Sequence, residues 1–411
     1  MATTTINRTQ LFRASCLALL VTSLSFGIRA GILGDLGVQF KLDKEQLGTI
    51  TATAFWGFPL AVIFGGVIVD IIGMKKLLVL AFVFHLLGIV LTICAPYFGE
   101  GSAYWPLFLS TLLIGLANGT VEAACNPLVT SLYTEEKTTK LSHFHLWFPG
   151  GIVIGTLLVT LFKYIGLGWQ IQVATMLIPT LIYGYLFSKL DFPVTERVAS
   201  GVSMAGMYRA LLNPLFIFMM ICMLGTGITE LFTGQWIDVL LKNVSSNAIL
   251  LLTLETGIMV VGRAFAKPIL KQFTPQTVLL ISTILAATGL YLLSTQSGNT
   301  LFLAAIIFGM GVCFFWPMML GFVNTNLPKT GALGLNLMGG AGMFAVSIYT
   351  IFMGKYYDDI VKAAAGDNTK AGVMVLQATL VIPIVLIVAF AGLVIYMRSM
   401  HKTQTIKDPV V

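Results

Sequence analysis

Charge is what this sequence has least of. Only 10% of its 411 residues are Asp, Glu, Lys or Arg, against roughly 25% in a soluble domain, while 57% are apolar. Mean hydropathy is +0.91. A chain so poor in ionisable side chains cannot cover a water-facing surface, which excludes a cytosolic enzyme, a nucleic-acid binder and a disordered protein. Cysteine is also scarce. The five (Cys16, Cys94, Cys125, Cys222 and Cys313) all fall in apolar stretches and none has ligand spacing, so neither a disulfide framework nor a metal site is expected. No G-x-x-x-x-G-K-[S/T] loop is present, so ATP is not expected to drive any cycle. No H-E-x-x-H or G-x-S-x-G stands in an apolar stretch, so an enzyme working within the membrane is not expected either. No cofactor is implied. The net charge of +7 comes from basic residues scattered in ones and twos between apolar runs, the pattern of membrane-protein loops rather than of a nucleic-acid surface.

What is present in abundance is apolar sequence long enough to cross a bilayer. A helix needs about 20 apolar residues to span the hydrocarbon. Twelve stretches qualify, near 13–38, 46–72, 77–97, 106–132, 143–166, 170–188, 213–240, 248–270, 277–295, 301–323, 332–354 and 372–397. The first is too long, and carries Arg29 too deep, to be a cleaved signal peptide. With an even number of spans both termini share a side. The segments on that side hold fourteen Lys and Arg against seven in the opposite loops, which predicts cytoplasmic termini in a cell inner membrane. The expected fold is all-α, with residues 1–190 as one six-helix bundle, 191–212 as a cytoplasmic linker and 213–411 as a second bundle with a short tail. The halves echo each other. Gly119, Pro127 and Gly150 recur as Gly309, Pro317 and Gly340 at a constant offset of 190. Such duplication goes with a binding site near the midplane between two bundles.

Two motifs resemble known families. Gly66-Val67-Ile68-Val69-Asp70-Ile71-Ile72-Gly73-Met74-Lys75-Lys76 resembles the G-x-x-x-D-x-x-G-x-[K/R]-[K/R] loop of the major facilitator superfamily. Its glycines permit close helix approach and a tight turn, and Asp70 can receive a helix N-terminus or a basic partner. Asp70, Gly73 and Lys75 are therefore gating candidates. So is Arg263, because Gly262-Arg263 followed by Lys267-Pro268 resembles a degenerate second copy of that loop. Glu122-Ala123-Ala124-Cys125-Asn126-Pro127 resembles the fourth helix of fucose–galactose–glucose:proton symporters, and Gly339-Gly340-Ala341 with Gly354-x-x-x-Asp358 resembles their eleventh. The resemblance implies two pseudo-symmetric six-helix bundles and solute–proton symport. It also implies a functional acid near the end of the first helix, where this chain has Asp35. At the start of the fifth helix the family's Asn, Gln and Asn are replaced by Ser142, His145 and Phe148, which makes His145 a substrate-site candidate and leaves the identity of the sugar open.

Ionisable groups deep in the bilayer cost on the order of 2.5–3.5 kcal/mol each on insertion scales and are functional candidates by default. Glu122 leads them. Asn118, Glu122 and Asn126 are spaced by four and share one helix face, and burial disfavours the charged form of a carboxyl, as a proton carrier requires. Arg29 and Glu230 lie at matching depths, about 24–26 Å from the cytoplasmic ends of their spans. They pair across an outer gate, or Arg29 offers its forked donors to substrate oxygens, or each meets a different neighbour. His85 reads as a packing histidine. Trp56, Trp236 and Trp316 offer flat faces for a sugar ring, and Gln235, Asn118 and Asn126 offer amides. The expected function is secondary transport of a small polar solute, a hexose or sugar derivative, by alternating access coupled to protons or sodium in a monomer. The other reading is an organic-anion carrier that uses Arg29 to bind a carboxylate or phosphate, favoured if Arg29 is unpaired.

Overall fold

The computed structural model describes residues 6–42, 44–99, 102–233, 248–363 and 367–407. The described chain is helical throughout, with no β-strand. The first half comprises α1 (Arg8–Phe40), α2 (Lys44–Ile72), α3 (Met74–Ile93), α4 (Tyr104–Leu132), α5 (Lys137–His145), α6 (Trp147–Tyr164), α7 (Trp169–Ala174), α8 (Leu177–Lys189), α9 (Glu196–Ala199) and α10 (Met204–Leu211). Then come α11 (Pro214–Gly227), α12 (Ala248–Ala264), α13 (Ala266–Gln272), α14 (Pro275–Thr295), α15 (Thr300–Val312), α16 (Phe315–Asn326), α17 (Gly331–Ala363) and α18 (Asn368–Lys407).

Eleven helical stretches among the described residues are long and apolar enough to cross a membrane. They coincide with eleven of the twelve expected spans. At the eighth, expected over 248–270, the 17-residue α12 is followed by α13 after the single residue Phe265. The expected fifth span also consists of two helices, α5 and α6, separated at Leu146. Leu146 itself keeps helical backbone angles, so the two run on as one stretch, in which Pro149 has no N–H to return to the carbonyl of His145. Span seven leaves α11 through one wide turn, Ile228–Phe232, with i→i+5 pairing. Insertions of this kind recur at functional sites, and Glu230 lies within it.

Close packing divides the chain into two units. The described residues of Met1–Ile217 group with Val323–Phe344, and those of Phe218–Phe322 group with Ala345–Val411. In the first unit α4 lies against both α2 and α3, and α1 against α6 and α8. Gly119 makes the α2–α4 approach possible: a Cβ there would stand 2.1 Å from the Phe58 carbonyl oxygen. In the second unit α14 packs on α15 and α18, and α12 on α15. Its duplicate glycine, Gly309, faces the backbone of Glu255, with the carbonyl oxygen 3.0 Å from where a Cβ would be.

The paired prolines act alike as well. Pro127 leaves the carbonyl of Ala123 without its helical donor, and Asn336 supplies one through Nδ2 at 2.9 Å. Pro317 does the same to Cys313, whose carbonyl accepts from Arg263 Nε at 2.7 Å. Asn336 sits near the start of α17, and Gly340 one turn later faces Ile63. These contacts help seat Val323–Phe344 in the first unit.

Candidate functional site

In the first unit Glu122 stands on α4, buried at 4% exposure and one helical turn from Asn126. Asn126 Nδ2 donates to Glu122 Oε2 at 2.7 Å, so its Oδ1 is free to accept, and His145 Nε2 donates to it at 3.0 Å. That orientation turns His145 Nδ1 toward Glu122 Oε1, 3.8 Å away. His145 lies in the last turn of α5, facing α4. Carboxyl and imidazole thus face each other at a separation longer than a hydrogen bond, and Asn126 is bonded to both. Sequence placed Glu122 and Asn126 on one face, and the structure adds His145 to them.

Asn118, one turn in the other direction on α4, belongs to a different network. Its Nδ2 donates to Ser25 Oγ at 3.1 Å, and its Oδ1 therefore accepts from His85 Nε2 at 2.8 Å. His85 Nδ1 is left to accept the Tyr183 hydroxyl at 2.7 Å. All four side chains are buried, and both ends of the Asn118 amide are committed to helix neighbours. His85 has the packing role read from sequence. Tyr183 was not among the candidates, because a lone Tyr in an apolar helix carries no spacing signal.

Among the described residues Arg29 has no carboxylate partner. Its guanidinium lies 5.1 Å from the Phe26 ring centre and borders a cleft lined by Ile28, Ile32, Leu36, Ile114 and Val173. Asp35, two turns on, pairs with Lys163 at 3.1 Å, both partly exposed. Trp56 is 60% exposed on α2.

At the opposite end of the first unit, the loop motif is engaged by the segment after α8. Gly73 takes φ +87°, a conformation that glycine reaches at no steric cost, and ends α2 so that α3 can start. Asp70 is ion-paired with Arg197 and accepts from Thr195. Lys75 Nζ donates to the Leu190 carbonyl at 2.9 Å, and Lys137 pairs with Glu196. The basic partner anticipated for Asp70 is therefore Arg197. Sequence reading missed it because Arg197 lies in a polar stretch where any single Arg looks solvated.

In the second unit the cation that Glu230 meets is Arg263 rather than Arg29. Nη2 donates to Oε1 at 2.8 Å, both groups are buried, and the same guanidinium holds the Cys313 carbonyl. A gating candidate and a substrate-site candidate thus form one ion pair. Trp316, before Pro317, is 7% exposed, and among the described residues its Nε1 has no hydrogen-bond partner, nor have Glu230 Oε2, Glu255 Oε2 and Thr233 Oγ1. Gln235 and Trp236 lie outside the described residues. Among the described residues no cluster of His, Cys, Asp and Glu could hold a metal ion.

The Major Facilitator Superfamily model matches residues 15–348, and the chain belongs to that family of transporters as a multi-pass membrane protein. Its fold is similar to that of FucP solved in the outward conformation, at a TM-score of 0.71 and 16% identity, covering 90% of this chain and 97% of that one. FucP is a fucose:proton symporter of E. coli. The proton:xylose symporter XylE, solved with 6-bromo-6-deoxy-D-glucose, is likewise similar, with a TM-score of 0.70, 14% identity, and coverage of 92% of this chain and 94% of that one. At these identities the likeness is one of fold. The sphingosine-1-phosphate transporter SPNS2 of Danio rerio is 27% identical over 151 residues, 36% of this chain and 29% of that protein. The match to SPNS2 therefore spans less than a third of that relative's length.

Proposed function

We propose that the chain is a secondary active transporter coupled to protons, working by alternating access, with Glu122 as the proton-carrying group. The observation that carries this reading is the buried Glu122–Asn126–His145 cluster. Its carboxyl is held by an amide and faced by an imidazole, so it can gain and lose a proton without rearranging its neighbours. Asp35 would serve beside it at the outer end of α1, and Asp70, Gly73 and Lys75 would govern the inner gate together with Arg197.

For the solute we propose a hexose or close derivative. Support comes from the unpartnered polar atoms of the second unit: Trp316 Nε1 can donate to a hydroxyl, and Glu230 Oε2 and Thr233 Oγ1 can accept from one. The E-x-x-x-N-P stretch and the sugar-carrying fold neighbours point the same way. One observation favours the other reading, an organic anion: among the described residues Arg29 has no carboxylate partner, and it borders a mostly apolar cleft, a setting that suits a carboxylate or phosphate on an apolar body. The partial likeness to a sphingosine-1-phosphate transporter agrees with it.

The test is uptake into proteoliposomes with the outside made acidic, using labelled neutral hexoses beside labelled carboxylates and phosphate esters. The expected result is accumulation of a neutral hexose that collapses with an uncoupler. Accumulation of the anions alone would move the assignment to the Arg29 reading. Accumulation that ignores the pH gradient would overturn proton coupling.

A further inference from the structure

Glu255 lies on α12 in the second unit, at 2% exposure. Its backbone is pressed against α15 where Gly309 allows the two helices to touch, which holds the side chain well inside the unit. Among the described residues no cation pairs with it, and its Oε2 has no hydrogen-bond donor. The charged groups that face it are few. Glu230, on the wide turn after α11, is an acid like itself. Arg263 is two turns further along the same helix and is already engaged with Glu230 Oε1 and the Cys313 carbonyl. The Cys313 thiol is turned instead to the Met259 carbonyl. Thr300–Val312, the helix packed on this face, carries no ionisable residue, and Lys267 on α13 is exposed. An ionised carboxylate here would be buried beside a second acid, without donors of its own, which is an arrangement folded proteins avoid.

We infer that Glu255 is a second proton-binding site, housed in the C-terminal unit and distinct from the Glu122 cluster. In the state described here its carboxyl is neutral, with the proton on one of its own oxygens. The Glu230–Arg263 pair is the fixed charge beside it. When the surroundings of α12 open to water, the proton leaves to solvent and Glu255 becomes the anion. Closure returns a proton from whichever side is then exposed. No other bond is made or broken. The inference is independent of which solute is moved and of whether Glu122 carries a proton.

The experiment is infrared spectroscopy of the full-length protein in lipid vesicles at neutral pH, in light and heavy water. Wild type is compared with Glu255→Gln, in which the amide imitates the neutral acid. The expected result is loss of one carboxyl's share of the deuterium-sensitive carboxylic-acid C=O band, with elution and melting temperature unchanged from wild type. A band of undiminished area would overturn the inference, since Glu255 would then be ionised in the wild type. A clear fall in melting temperature would count against it too, by revealing a charge pairing that the amide cannot replace. Should the amide variant not fold, Glu255→Leu serves for the same subtraction. Glu122→Gln measured alongside reports on the N-terminal cluster separately, so each site stands or falls on its own band.

Discussion

At the scale of single residues, the membrane interior makes partner choice decisive, because water is not there to repair an unmet group. Arg263 illustrates this: it meets both a carboxylate and a carbonyl that a proline has deprived of its donor. Glu122 illustrates the opposite need. Asn126 donates to it and His145 stands opposite, and in the proposed cycle it is the group that carries the proton. The glutamine variant keeps the shape of the acid and cannot lose a proton. Glu122→Gln is therefore expected to abolish uphill accumulation while leaving counterflow exchange within about a factor of ten of wild type, a barrier change of about 1.4 kcal/mol. Both are measured in proteoliposomes under the same load of solute. A variant that still concentrates solute would remove Glu122 from the coupling role. Glu122 and Asn126 could be read as a pair because helical spacing is local. His145 could not be assigned to Glu122, since nothing in a linear sequence says which residue of α5 meets which residue of α4.

At the scale of elements, glycine and proline set where helices touch and where they break. Gly73, at φ +87°, ends α2 so that α3 can begin. Pro127 and Pro317 free carbonyls that Asn336 and Arg263 then hold. Glycines at crossings differ from glycines that face open space, and the difference is measurable. At Gly119 an added Cβ would collide with the Phe58 carbonyl and the Ala61 methyl, whereas at Gly257 on α12 it would meet nothing within 4 Å. Gly119→Ala is expected to destabilise by about 1–3 kcal/mol through overpacking. Gly257→Ala is expected to be neutral or to stabilise by up to about 1 kcal/mol through helix propensity. Thermal unfolding in one detergent compares the two, and equal melting temperatures would sink the account of the α2–α4 crossing. The Gly and Pro echoes at an offset of 190 were legible beforehand. Their purpose was not, because the captured carbonyl and its captor are far apart in the chain.

At the scale of the whole molecule, the distribution of basic residues predicts that both termini face the cytoplasm. The native cysteines are buried apart from the half-buried Cys94, so a Cys94→Ser background suits labelling. In that background a cysteine at Tyr97, which is 88% exposed after α3, is expected to react with a membrane-impermeant maleimide added to intact cells. A cysteine at Met400, on the exposed end of α18, is expected to react only in inverted vesicles. The reverse pattern would invert the topology. The segment after α8, read from its polarity as a linker between bundles, includes two short helices, α9 and α10, and the side chains of Thr195 and Arg197 that engage Asp70.

The sequence alone determined the solvent of this protein, the positions of the eleven spans found among the described residues, the glycine and proline echoes between its halves, and the burial of Glu122, Glu230 and Arg263. Those properties follow from transfer free energy and helical period, which depend only on neighbours in the chain. The tertiary structure decided the pairings: His145 with the Glu122 cluster, His85 and Ser25 with Asn118, Arg263 with Glu230, Arg197 with Asp70, Asn336 with Ala123. Each joins residues that different elements carry, and a buried polar group takes the partner that packing brings within about 3 Å, whatever its distance along the chain.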